Sequence, residues 1–204
     1  MLRKTAAFEV KMRTFIVLIS LLIASPVAAD ELKFDVRGWG ITIGKMVLVD
    51  KGADAIGQFR TTGLAGAVAK VRFDMKRSGT TYRAALHTGR RDRTDQVDIP
   101  AHDPRLDPLS ALMRVLALKD QSAGCAMQAV VFDGIRELVL TLEQAGPLRC
   151  RGTLTRRRGY SAVELAEARA FPISVHYENR TGGMVARKAR VGTVHGKVSL
   201  ILRD

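Results

Sequence analysis

The segment Asp107-Pro-Leu-Ser-Ala-Leu-Met-Arg-Val-Leu-Ala-Leu118 decides the fold, because it is the one clear helical pattern in a chain whose other apolar stretches alternate like strands. Asp107 suits the N-cap and Pro108 the first helical position, so the helix should start here. Four residues at helical spacing form one apolar face: Leu109, Leu112, Met113 and Leu116. Two roles for this face stay open, namely core packing against the concave side of a sheet or a lid over a hydrophobic ligand.

Apolar and polar residues alternate on either side of this helix, which is typical of half-buried strands. Before the helix, we expect four antiparallel strands joined by turns over residues 32–88. After it, Asp133-Gly134 between two apolar runs predicts a β-hairpin. Residues 162–170 fit a short helix or an irregular crossover. Further strands are predicted at 127–132, 137–142, 148–155, 172–177, 184–191 and 197–202, so the fold class is mainly β.

Residues 1–29 have the pattern of a cleavable export signal. Basic residues lead into the apolar run at 15–24, and the small residues of Ser25-Pro-Val-Ala-Ala29 then precede Asp30. The apolar run is shorter than the roughly 20 residues that a membrane-spanning helix needs, and Pro26 interrupts its end. This pattern favours a cleaved signal peptide over an uncleaved membrane anchor.

Cleavage would leave a single domain at residues 30–204. Met12 is an alternative start to Met1, and it would shorten the signal without changing that domain. The remaining 175 residues carry a net charge of +10, compared with +13 for the whole chain, which favours anionic partners. Export and the lack of aromatic residues interleaved with the basic ones disfavour nucleic acid as a partner.

The chain has two cysteines, Cys125 and Cys150. In an oxidising compartment, an even pair with no other candidate partner most simply forms one disulfide. A redox-active pair usually stands two residues apart at a helix start, whereas these two are 25 residues apart in strand-like sequence. The sequence therefore favours a structural disulfide, and two cysteines are the wrong number for a zinc site.

Short motifs, most of them with glycine, run through the chain: Gly38-Trp39-Gly40-Ile-Thr-Ile-Gly44, Thr62-Gly63-Leu64, Asp107-Pro108-Leu-Ser-Ala-Leu112, Phe132-Asp133-Gly134-Ile-Arg136, Cys150-Arg-Gly152 and Gly192-x-Val194-x-Gly196. Together they resemble an uncharacterised family of exported bacterial proteins, classed as domain of unknown function 3108. The resemblance implies a strongly curved antiparallel sheet or open β-barrel wrapped around one main α-helix, similar to the LolA and LolB lipoprotein carriers. It also implies a periplasmic location and no known enzyme activity.

The search for catalytic motifs is negative. The sequence has no His-Glu-x-x-His zinc motif, no Gly-x-Ser-x-Gly nucleophile elbow, no phosphate-binding loop and no paired-cysteine metal spacing. The four histidines are scattered: His87, His102, His176 and His195. We therefore expect no enzyme activity, no catalytic residues, no metal and no cofactor.

Arginines concentrate where turns are expected: Arg90, Arg91, Arg93, Arg156, Arg157 and Arg158. Guanidinium groups bind phosphate and carboxylate well, so these residues are candidates for binding the anionic groups of lipids or of cell-envelope polymers. The alternative is a solvated rim on a basic protein.

Two functions follow as hypotheses. The first is an envelope protein that binds a lipid, a lipoprotein or another amphipathic anionic ligand, with peripheral membrane contact possible. Its groove would be lined by Trp39, Leu109, Leu112, Met113 and Leu116, with the arginine clusters at the headgroup. Burial of an acyl chain would contribute roughly 0.8 kcal/mol per methylene. The second is a structural or interaction protein that supports envelope integrity and has no ligand cavity.

Overall fold

A computed structural model describes residues 30–118 and 124–203 of the chain. The predicted signal peptide at 1–29 lies outside the described residues. Within the described part of the chain, no helix is long and apolar enough to cross a membrane.

The described residues form thirteen strands and three short helices. The strands are β1 (Asp30–Gly38), β2 (Ile41–Lys51), β3 (Asp54–Thr61), β4 (Val71–Ser78), β5 (Thr81–Thr88), β6 (Asp92–Asp98), β7 (Ala117–Leu118), β8 (Met127–Phe132), β9 (Glu137–Gly146), β10 (Arg149–Arg158), β11 (Ala170–Arg180), β12 (Gly183–Thr193) and β13 (Gly196–Leu202). The helices are α1 (Gly63–Val68), α2 (Pro108–Leu116) and α3 (Ala162–Glu167). The prediction of a mainly β fold is confirmed.

All strands belong to one antiparallel sheet with the order β6-β5-β4-β3-β2-β1-β13-β12-β11-β10-β9-β8, and β7 pairs with β12. The strands β6 and β8 end this path, so the sheet is not closed by their pairing. Most neighbours in the sheet are also neighbours in sequence, because tight turns join successive antiparallel strands. Apart from the pairing of β7 with β12, the exception is β1, which pairs with β13 and joins the two halves of the chain.

The sequence prediction differs from the structure in three places. The first half of the chain has six strands, not four. One of the two additional strands is the polar segment Asp92–Asp98, which pairs with β5 although it lacks apolar alternation. The sequence pattern does not predict helix α1, because Gly-Leu-Ala-Gly-Ala-Val has no alternation of apolar and polar faces. None of its residues is buried. Helix α2 ends at Leu116, and the next two residues pair with β12 as the short strand β7.

Helix α2 lies on the concave side of the sheet. It contacts β3, β4, β7, β8 and β12. Strands β4 and β8 are nine places apart in the sheet order, which would be roughly 43 Å in a flat sheet. A helix of nine residues is only about 14 Å long. The sheet must therefore curve around α2 to bring both strands into contact with it.

The apolar face of α2 is the centre of the core. Leu109 and Leu116 are almost completely buried, together with Phe34 and Leu48 from the first half of the sheet and Val175 from the second. Strand β3 has a glycine under the helix: a Cβ atom at Gly57 would lie 3.0 Å from Leu109 Cδ1. The missing side chain lets the helix approach the sheet closely, so for these residues the core-packing interpretation of the helix face is confirmed.

Three polar contacts fix the position of α2. The Asp107 side chain accepts a hydrogen bond from the Ser110 backbone N–H at 2.8 Å, which confirms the predicted N-cap. From β4, Arg77 Nη1 donates to Ser110 Oγ at 2.7 Å. From β11, the Tyr177 hydroxyl donates to the Val115 carbonyl at 2.9 Å. A strand from the first half of the sheet therefore holds the N-terminal end of the helix, and a strand from the second half holds its C-terminal end.

Cys125 and Cys150 are buried, and their sulfur atoms lie at disulfide-bonding distance with the Cα atoms 6.2 Å apart. That Cα separation falls within the range of disulfides. The bond attaches the segment before β8 to the start of β10.

We predict that Leu109→Ala lowers the free energy of unfolding by about 2 to 5 kcal/mol, because a fully buried leucine leaves a cavity when it is truncated. Leu112→Ala, on the same helix at a half-buried position, is the matched control and should cost clearly less. Urea denaturation of both variants measures the difference. Equal losses would contradict the assigned burial of the helix face.

We also predict that the variant Cys125→Ser/Cys150→Ser is less stable by about 3 kcal/mol, because the bond closes a loop with a sequence separation of 25 residues. Thermal unfolding with and without reductant provides the measurement. Reductant should lower the melting temperature of the wild type and leave that of the double variant unchanged. An unchanged wild-type melting temperature would contradict a stabilising bond.

Candidate ligand-binding cavity

Two adjoining cavities open beside the C-terminal end of α2. The larger has a volume of about 630 Å³ and the smaller about 170 Å³. Four residues line both: Asp50, Met113, Ala117 and Leu118. The volume of the larger cavity lies in the range typical of small-molecule sites in proteins.

Both apolar and charged residues line the cavities. The larger cavity adds Ala126 and Met127 to the shared residues, and the smaller adds Leu32, Met184 and Val185. The charged residues around them are Glu31, Asp50, Arg114 and Arg180. This arrangement suits a ligand with an apolar part and a polar or ionised end.

Local chain geometry creates the opening. Because the chain leaves α2 after Leu116 to pair with β12, Ala117 and Leu118 lie along the cavity wall. On the other side, the disulfide places Cys125 and the start of β8 against the same cavity. The ends of β1, β2 and β8 at this opening, together with the turn between β11 and β12, are called the cavity end of the sheet below.

The residues predicted to line a groove divide into three groups. Leu109 and Leu116 are core residues, and Leu112 is half-buried beside the core. Met113 lines both cavities. Trp39 lines neither of them: it is 76% exposed in the turn between β1 and β2. The structure therefore brings only Met113 of the predicted set to the cavity.

The predicted arginine clusters lie away from the cavity. Arg90, Arg91 and Arg93 belong to the turn between β5 and β6 and to the start of β6, and all three are exposed. Arg93 is paired with Asp95 at 2.9 Å. The second cluster lies at the C-terminal end of β10. Cys150 lies at the other end of this strand, and the disulfide holds that end near the cavity. The structure does not place either cluster at the margin of the cavity.

Arg156 has a structural position. Its Nη1 donates to the carbonyl of Ala168 at 2.8 Å and also to that of Glu164, and its guanidinium lies over the rings of Tyr160 and Phe171. These contacts attach α3 to the end of β10. A guanidinium that already satisfies two carbonyl groups is a poor candidate for binding an external anion.

Arg157 and Arg158 approach a buried carboxylate. The Nε atom of each lies 3.9 Å from Glu137 Oε2. Arg105 donates to the other oxygen of Glu137 at 3.3 Å. Burial of a carboxylate is expensive unless cations and hydrogen bonds compensate for it. These arginines therefore serve a structural ion-pair network at the start of β9.

Arg105 links this network to the loop before α2. Its guanidinium donates to both oxygens of Asp103, with an Nη2–Oδ2 distance of 2.7 Å, and lies over the ring of Phe132. Hydrogen bonds from the side chain and backbone of Arg105 lower the pKa of Asp103 to about 2. Arg105 thus engages both oxygens of the Asp103 carboxylate.

Among the described residues, no group of three or more His, Cys, Asp or Glu side chains is arranged to hold a metal ion. His87 lies 3.4 Å from Asp92 and 3.9 Å from Asp74. Burial and the neighbouring cations of Arg149 and Arg190 lower the pKa of His176.

In comparisons with known proteins, the chain matches no family model, no curated protein and no solved structure. The resemblance to the exported bacterial family and to the LolA and LolB carriers stays a prediction.

Sequence reasoning missed most of the cavity wall. The sequence pattern predicts Ala117 and Leu118 in the helix, and Met127 and Met184 in half-buried strands. One available signal was the clustering of three methionines, Met113, Met127 and Met184, near predicted element ends, because methionine adapts to irregular apolar surfaces. Their proximity depends on the curvature of the sheet, which the sequence pattern does not specify.

We predict that Asp103 titrates near pH 2 and that Arg105→Ala moves its midpoint up toward the ordinary value of about 3.9. Because the folded-state pKa lies below the unfolded one, this contribution to stability is present above the unfolded pKa and is lost as the pH falls through the folded pKa. NMR titration of the Asp103 carboxyl carbon gives both midpoints. An unshifted midpoint in the variant would contradict the assigned cause.

Proposed function

We propose that this protein is an exported protein of the bacterial cell envelope that binds the apolar part of a lipid, a lipoprotein or another amphipathic anionic ligand. The observation that carries the proposal is the cavity of about 630 Å³ at the end of α2, which is lined by apolar residues together with the charged Asp50 and Arg114. The periplasm is its proposed location, and binding rather than catalysis is its proposed activity. We also propose a likeness to the LolA and LolB carriers, and the open sheet that curves around a helix supports it.

The apolar walls supply the binding energy in this proposal. Met113, Leu118 and Met127 are positioned to contact an acyl chain, and transfer of that chain from water contributes roughly 0.8 kcal/mol per methylene. Methionine side chains adjust their shape to different chains, which suits a site that accepts several lipids. A long acyl chain would therefore bind without many specific polar contacts.

The charge at the opening gives the proposed preference for an anionic head. Arg114 is exposed in the last turn of α2, lines the larger cavity and makes no ion pair with a described residue. Its guanidinium can bind a phosphate or carboxylate at the opening. In this proposal Arg114, and not the predicted arginine clusters, binds the anionic group of the ligand.

The test is native mass spectrometry of the protein purified from the periplasm, followed by organic extraction of any added mass. Ala117→Phe fills the cavity from a half-buried position that lines both volumes, whereas Ala162→Phe adds the same side chain at an exposed position on α3 as a control. We expect co-purified lipid with the wild type and the control and little with Ala117→Phe.

A fluorescent fatty acid gives the affinities of the same proteins. We expect Ala117→Phe to weaken binding by about tenfold or more, because it removes the space for several methylenes. Arg114→Ala should weaken binding of the fatty acid and leave that of an uncharged acyl alcohol nearly unchanged. A wild-type protein that carries no lipid and binds neither probe would contradict the proposed function.

A further inference from the structure

Exposed apolar side chains cluster at the opposite end of the sheet from the cavity. Five of the seven large hydrophobic residues that are exposed in the described chain lie in or directly beside neighbouring connections there: Trp39, Ile41, Leu64, Val68 and Val194. These turns join β1 to β2, β3 to β4 and β12 to β13, and all six strands are adjacent in the sheet. This group of turns is called the α1 end of the sheet below.

The turns at the α1 end contact one another. The Thr62 N–H donates to the Ile43 carbonyl at 3.1 Å, which attaches the start of α1 to β2. In the turn before β13, a Cβ atom added at Gly196 would lie 3.6 Å from Trp39 Nε1. The exposed side chains therefore lie on connecting segments that neighbour one another at the same end of the sheet.

Helix α1 is almost wholly apolar and stands out from the protein. Its sequence Gly-Leu-Ala-Gly-Ala-Val carries no charge, and none of its residues is buried. Leu64 is 80% exposed and Val68 is 89% exposed. Their spacing of four residues places both on one face of the helix. Core packing does not explain these side chains.

Trp39 occupies a backbone conformation that costs stability. Its φ is 51° and that of Gly40 is 84°, so both central residues of the hairpin turn are left-handed. Such turns favour Asn-Gly, and a bulky residue at positive φ is uncommon. Trp39 is exposed to solvent and its backbone conformation is unfavourable, so it does not stabilise the fold. This is a reason to infer that it contacts a binding partner.

Basic residues lie beside α1. A concavity of about 370 Å³ beside α1 is lined by Arg60, Lys70, Arg72 and His87 among others. Arg72 pairs with Asp74, whereas Arg60 and Lys70 make no ion pair with a described residue. Two carboxylates, Asp74 and Asp92, lie near His87 and balance part of the charge. Arg60 and Lys70, which flank α1 in the chain, thus remain without an ion pair among the described residues.

We propose that the α1 end of the sheet is a membrane-docking surface that binds an anionic phospholipid bilayer. Leu64, Val68 and Trp39 enter the interfacial region, and Arg60 and Lys70 bind lipid phosphates. Protruding apolar residues with basic neighbours are typical of interfacial membrane binding, and tryptophan favours this region. A bilayer accommodates separate protruding side chains, whereas a protein partner would need a matching pocket for each.

This docking would leave the cavity accessible. The cavity opens near Asp50 and the turn between β11 and β12, at the other ends of the strands that form the α1 end. The docking proposal stands on different residues from the cavity, and it can fail or hold independently of the proposed function.

The first test uses vesicle binding and the fluorescence of Trp39, the single tryptophan of the chain. We expect the protein to co-sediment with vesicles that contain phosphatidylglycerol and much less with pure phosphatidylcholine, with binding that weakens as salt is added. The emission of Trp39 should shift to shorter wavelength on binding. Bound protein with an unshifted spectrum would show that another surface binds and would overturn the proposal.

The second test uses variants of residues outside the buried core, in which the fold should be retained. Leu64→Ser/Val68→Ser should weaken binding to the anionic vesicles by about tenfold or more. Arg60→Glu/Lys70→Glu should do the same, because each basic residue near an anionic surface contributes about 1 kcal/mol, or roughly fivefold. Arg149→Glu/Lys188→Glu changes the net charge equally on β10 and β12, away from the α1 end, and should keep most of the binding.

All variants share the same N-terminal segment, so any contribution of that segment to vesicle binding cancels. Equal losses in the two charge variants would show that net charge alone controls binding, and would overturn the assigned surface. Unchanged binding of Leu64→Ser/Val68→Ser would do so as well.

Trp39→Asn separates docking from folding. Asparagine suits the left-handed turn, so the melting temperature should stay equal or rise while vesicle binding falls several-fold. A lower melting temperature without loss of binding would assign Trp39 a structural role and contradict its role in docking.

Discussion

The structure depends on the packing of one short helix against a sheet that is far wider than the helix. Leu109 of α2 contacts the sheet over Gly57, where the absence of a side chain lets helix and strand approach closely. Strands from both halves of the chain contact the same helix. A flat sheet of this width could not contact the helix with both halves. The helix face can therefore be buried only if the sheet curves around it. The pairing of β1 with β13 then joins the two halves.

Curvature also explains why the core and the cavity share one helix. The buried part of α2 fills the concave side of the sheet, and the helix ends before it reaches the cavity end, where the chain leaves to form β7. Among the described residues, α2 supplies no side chain beyond Leu116 to fill the space between the strands. Met113 lies at this boundary, since it packs against the core and also lines both cavities. The core-packing and ligand interpretations of the helix face therefore apply to different residues.

The sequence predicted elements better than it predicted their assembly. The helix start at Asp107 and the strand at Met127–Phe132 follow from local signals, namely a cap with proline and an alternating apolar run. The polar strand β6 and the exposed helix α1 lack such signals, because their conformation depends on pairing and chain connection. The roles of the arginines were equally out of reach. Arg156 serves α3 through contacts made only in the folded protein, whereas Arg114 reaches the cavity only because α2 ends there.

An antiparallel sheet separates its turns into two sets at opposite strand ends, and this chain uses the two sets differently. One end has the space left by the short helix, with apolar walls that are set back from the surface. The other has protruding apolar side chains, including a tryptophan in a turn conformation that it fits poorly. Selection for stability alone would remove both features, by filling the first and by polar substitution at the second. Their presence on separate turn sets argues for two distinct interactions with apolar partners, one that accepts a chain inside the protein and one that places the protein on a surface.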